Sequence, residues 1–164
     1  MEEAALLIKQ EGNALYANSQ FEEAIEVYSR GLLESSPHSA ALLFNRASAY
    51  FRIAKWAECI ADCSSAIALD PNYSKALYKR ALAHEQTGDF EAALVDLTHL
   101  PDVSADTQRI DAKRAAKFET DKADMIASLK ILGNKVLGNF GMSTDDFKIE
   151  KDESGSFSLK MNNR

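Results

Sequence analysis

Apolar and polar positions divide the chain into helical stretches over roughly 3–18, 21–34, 38–53, 56–68, 72–86 and 90–100. The breaks are short. Asn18-Ser19, Ala54-Lys55 and Thr87-Gly88 reverse the chain within pairs of helices, while Pro37 and Pro71 fall between pairs, where a helix must stop anyway. Pro101-Asp102 closes the third pair. From about Asp106 to Leu137 a polar stretch turns apolar, and Ile110, Phe118, Met125, Ile126, Leu129, Leu132 and Val136 keep the gaps of one helical face. After Phe140-Gly141 the period changes to two. Phe147 and Ile149, then Phe157, Leu159 and Met161, alternate with polar residues around Lys151-Asp152-Glu153-Ser154-Gly155. That pattern fits either a β-hairpin or a frayed tail, since a lone hairpin is marginal in water.

The helical pairs repeat. Phe21-Glu22-Glu23-Ala24-Ile25, Trp56-Ala57-Glu58-Cys59-Ile60 and Phe90-Glu91-Ala92-Ala93-Leu94 align at spacings of 35 and 34 residues. Gly12, Ala47 and Ala81 lie upstream at matching offsets, and Tyr28, Cys63 and Leu97 lie downstream. Small residues let the helices of a pair approach closely, and large ones fill the space between neighbouring pairs.

This period and pattern resemble the tetratricopeptide repeat (TPR) family. The resemblance implies an all-α fold: three tandem helix-turn-helix units in a short right-handed solenoid, at about 5–38, 40–73 and 74–101 within 3–101. A long capping helix over 104–140 would cover the last unit, followed by a tail over 141–164. Leu132-Gly133-Asn134, Phe140-Gly141, Ser143-Thr144, Phe147 and Gly155-Ser156-Phe157-Ser158 resemble the C-terminal end of the tetratricopeptide repeat protein 1 family. Members of that family usually carry a long acidic N-terminal extension, and functions residing in it are not carried over here.

Composition narrows the partners. A net charge of −6 repels phosphate backbones and anionic lipid surfaces, so neither nucleic acid nor membrane is expected as a partner. No apolar stretch approaches the ~20 residues a bilayer requires. Met1-Glu2-Glu3 lacks the positive flank of a signal peptide, and a cytoplasmic location is expected.

Candidate chemistry gathers on the first helix of each pair, which in a curved array lines the concave groove. Lys9 and Asn13 are four apart, as are Lys75 and Lys79, so each pair shares a helical face; Asn45 lies between them in sequence. Three cations and two amides suit two close carboxylates, a chain end and a terminal Asp side chain. Lys9-Gln10-Glu11-Gly12-Asn13, Asn45-Arg46-Ala47, Lys75 and Lys79 resemble the dicarboxylate clamp of co-chaperones. Lys79 departs from the Arg usual there, which keeps the charge and loses the bidentate fork. The resemblance implies a co-chaperone adaptor that binds the Glu-Glu-Val-Asp C-terminal peptides of heat-shock protein 90, heat-shock protein 70 or both. Arg46, Arg52, Lys55 and Arg80 read as structural or rim residues. The alternative is a signalling scaffold that holds a folded partner, such as a GTPase, through the capping helix and tail.

Nothing calls for an enzyme, a cofactor or a metal. His38, His84 and His99 are scattered without a catalytic partner, and the glycines from Gly133 to Gly141 form no phosphate loop. Cys59 and Cys63, one turn apart on one helix, read as small buried side chains.

Overall fold

The computed structural model describes residues 2–34, 39–151 and 157–161. Pro37, His38 and the proposed turn through Gly155 lie outside them. The chain forms two units, Met1–Arg114 and Ala115–Arg164, each described by itself.

The first unit contains α1 (Glu2–Ala17), α2 (Phe21–Glu34), α3 (Ala40–Arg52), α4 (Trp56–Leu69), α5 (Ser74–Thr87) and α6 (Phe90–Leu97), and the start of α7 (Ser104–Leu137). From α1 to α6 each helix packs on the next in sequence, and α3 also neighbours α1 and α5, as in a stack of helical pairs. The helices start within about two residues of where the hydrophobic pattern puts them. Only α6 ends clearly early: Thr98 donates its hydroxyl to the Val95 carbonyl, and Pro101 follows.

Close approach within the first pair depends on Gly12, where a Cβ would press into the Tyr28 ring. Tyr28 then packs with Leu32, Leu42, Leu43, Ala66 and Ala76 to join the first helical pair to the next. Cys59 and Cys63 are buried free thiols beside Ala47 and Ala83. The hydrogen bond to Cys59 and burial push the Cys63 thiol up, so it stays neutral. Ala81, Ala93, Leu97 and Ile110 form the last cluster.

All three turns within pairs place one residue in the left-handed region: Ser19 at φ 63°, Ala54 at 58° and Gly88 at 77°. Only the third is the glycine that this conformation favours.

A charged ladder staples neighbouring pairs. Arg46 on α3 donates from Nε and Nη2 to the Asp62 carboxylate on α4, both at 2.7 Å, and from Nη1 to Ser29 on α2 at 3.0 Å. One repeat later Arg80 binds Asp96 at 2.8 and 2.6 Å and Ser64 at 2.9 Å. At the end of the array the polarity reverses. Buried Glu85 on α5 accepts from Arg109 at 3.1 and 2.9 Å and from Lys113 at 2.8 Å on α7. These bonds hold the Glu85 carboxyl below the usual carboxylate range.

The expectation that one long apolar face of α7 caps the array needs correction. Ile110 is fully buried in the last cluster, whereas Phe118, Met125, Ile126, Leu129, Leu132 and Val136 are exposed. An eight-residue α6 is about 12 Å long and can cover only a comparable length of α7, which has 34 residues.

In the second unit the tail folds against the end of α7. Asn134 accepts the Thr144 N–H at 2.6 Å, Lys130 pairs with Asp145 at 3.0 Å, and Gly133 leaves room for the Thr144 methyl. Ser143 and Asp146 close a reciprocal cap on a 3-10 turn at Thr144–Asp146. The tail is a hairpin: β1 (Phe147–Lys151) and β2 (Phe157–Met161) pair antiparallel, with Ile149 opposite Leu159.

Candidate functional site

The candidate residues come from α1, α3 and α5, the first helices of the three pairs. Lys9 and Asn13 lie on α1, Asn45 on α3, and Lys75 and Lys79 on α5. Asn13 and Asn45 are joined directly: the Asn45 Nδ2 donates to the Asn13 Oδ1 at 2.9 Å. The same oxygen accepts the Tyr28 hydroxyl at 2.8 Å. Two donors on one oxygen fix which way the Asn13 amide faces, so its NH2 group is the end left to donate. Burial and nearby Tyr16 push the Tyr28 phenol up to about 12, so at neutral pH it stays the protonated donor that this arrangement requires.

Around the two amides lies an open depression of about 260 Å³ walled by Asn13, Tyr16, Tyr28, Phe44, Asn45 and Ser48. Phe44 packs on Tyr73 with ring centres 5.3 Å apart, which ties this wall to the turn before α5.

The cations are disposed differently. Lys79 is half-buried, with Nζ 4.8 Å from the centre of the Phe51 ring, so a cation–π contact restrains it. Lys9 is half-buried and Lys75 exposed. Among the described residues neither has an ion-pair partner, so both keep their charge for a ligand. Arg46 and Arg80 are consumed by Asp62 and Asp96, which gives them the structural role expected. His84 packs half-buried with Nδ1 3.6 Å from Asp89.

Tyr28 is the residue that sequence reasoning assigned to packing alone. Its phenol lies 15 positions from Asn13 on another helix, and the only clue was an aromatic with a polar tip where the other repeats carry Cys63 and Leu97.

This fold and groove define a helix-turn-helix repeat protein with a polar, lysine-flanked face on its first helices. The sequence model described as Tetratricopeptide repeat matches residues 9–74 and 60–97, and the chain belongs to the tetratricopeptide repeat family. RNA polymerase II-associated protein 3 (RPAP3) of Xenopus tropicalis is 40% identical over 111 residues, 68% of this chain and 16% of that protein. The chain thus spans less than a fifth of that relative's length. Among solved structures, the first TPR of Spaghetti (RPAP3), bound to the HSP90 peptide SRMEEVD, superposes with a TM-score of 0.65 at 32% identity. The match covers 70% of this chain and 96% of that one. The second TPR domain of human RPAP3, in complex with the HSP70 peptide SGPTIEEVD, gives 0.62 at 33% identity, covering 67% and 97%.

Proposed function

We propose that the first-helix face is a carboxylate clamp that holds the free C-terminus of a peptide ending in Glu-Glu-Val-Asp, and that the protein is a chaperone adaptor. The observation that carries this reading is the Tyr28–Asn13–Asn45 chain of hydrogen bonds. It presets two amide groups in one depression, so they need not be ordered when ligand arrives. The amides of Asn13 and Asn45 orient the terminal carboxylate. Lys9, Lys75 and Lys79 supply the charge that attracts it and the terminal Asp side chain. The HSP90 and HSP70 peptides held by the two RPAP3 domains have this chemistry, which supports the assignment. On this reading the groove binds rather than catalyses, and a heat-shock chaperone partner fits a cytoplasmic location. No helix among the described residues is long and apolar enough to cross a membrane.

Calorimetry with a Glu-Glu-Val-Asp peptide tests the site through Lys75→Glu. Lys75 is exposed and ion-paired to nothing described, so its reversal leaves the fold intact while placing a negative charge before the ligand. A loss of at least about tenfold in affinity is expected. An unchanged affinity with an unchanged melt removes Lys75 from the site.

A further inference from the structure

The exposed face of α7 beyond Arg114 is patterned, not scattered. Phe118, Lys122, Met125, Leu129, Leu132 and Val136 follow gaps of four and three, the 3.5-residue period of a two-helix seam. Five of the six are apolar, and those five are exposed by 56% or more. Ile126 flanks this seam and is also exposed. Among the described residues, the tail leaves it exposed. Thr144 and Asp145 dock through Lys130, Gly133 and Asn134, along one flank of the helix.

We propose that this stripe is a self-association surface, on which α7 of a second copy of this chain packs antiparallel. Charge selects both the occupant and the direction. In an antiparallel pair centred near Ile126 and Ala127, Leu129 of one copy meets Met125 of the other, and Val136 meets Phe118. Lys122, the one charged seam residue, then faces Leu132 across the interface. Its stem covers apolar surface while its ammonium stays with Glu119 of its own helix, 3.2 Å away. A parallel pair would set Lys122 against Lys122.

The flanks agree with the antiparallel arrangement. Asp121 of each copy falls opposite Lys135 of the other, which gives two symmetric opposite-charge contacts, and Ile126 meets Ile126 on the other flank. Asp121 and Lys135 have no partner among the described residues of their own chain. A helix that is complementary to itself in both apolar phase and flanking charge matches a second copy better than an arbitrary apolar partner.

Sedimentation of the full chain, from micromolar to hundreds of micromolar, tests the proposal. A monomer–dimer equilibrium is expected, and Met125→Glu with Leu129→Glu should abolish it while the melt of the repeat array stays in place. The charge swaps decide direction. Asp121→Lys and Lys135→Asp should each weaken dimerisation by about tenfold, and the double swap should restore it. A chain that is monomeric at every concentration overturns the proposal. So does a dimer indifferent to Met125→Glu and Leu129→Glu, or one whose double swap fails to rescue.

Discussion

Asn13 shows how much a candidate binding residue depends on what holds it. An exposed asparagine alone is a flexible amide, yet here Tyr28 and Asn45 both donate to its oxygen and leave its NH2 as the end to donate. Tyr28→Phe removes one of those donors and keeps the buried ring. Peptide affinity is expected to fall by about fivefold, the worth of one net hydrogen bond, with little change in the melt. Calorimetry beside a thermal scan checks this, and an unchanged affinity would show that the phenol only packs. Asn13→Ala removes the amide itself and should cost more. Lys79→Arg should hold or improve affinity, because a guanidinium keeps the contact with Phe51 and adds a fork. The candidate residues on α1, α3 and α5 were legible because the repeat places them on first helices and their short motifs resemble a carboxylate clamp. The hydrogen bonds among them were not, since they join different helices.

At the scale of elements, the repeat period carried most of the information. Gly12, Ala47 and Ala81 marked the close helix contacts before any coordinates did, and all three are buried. The ladder was half visible. Arg46 and Arg80 are 34 apart, as are Asp62 and Asp96, and pairing the two series would have located it. The extent of capping by α7 was not visible, because apolar spacing reveals a face and says nothing of what covers it. One consequence follows from the geometry of the turns. Ala54 closes the second turn at φ 58°, where its Cβ is strained, so Ala54→Gly should stabilise the chain by about 0.5–1 kcal/mol in a denaturant titration. A loss of stability there would mean that the turn tolerates alanine without strain.

Glu85 gives the array an acid-sensitive end. Its carboxyl is held below the ordinary glutamate value of 4.5 by Arg109 and Lys113, so its contribution is full above that value. The contribution is lost as pH falls through the lowered folded value. Glu85→Gln should therefore destabilise the protein at neutral pH and flatten this part of the acid loss. Melts from neutral to acid pH check the sign, and a parallel offset at every pH would exclude the ionic contribution.

For the whole molecule, the governing contrast is between a net charge of −6 and first helices that carry Lys9, Lys75 and Lys79 as well as Asn13 and Asn45. In the proposed clamp these lysines attract a short acidic peptide end while the rest of the surface repels bulk polyanions. That attraction is partly exposed to solvent, so affinity should weaken as salt rises. The most direct measurement compares one Glu-Glu-Val-Asp peptide with a free C-terminus and with that end amidated. Amidation keeps length, shape and side chains and removes a single charge. A carboxylate clamp is expected to bind the amidated form ten- to a hundred-fold more weakly, roughly 1.5–3 kcal/mol for one charged, hydrogen-bonded group. Equal affinity for the two peptides would contradict the clamp, because a site that ignores the terminal charge is not built around Asn13 and Asn45.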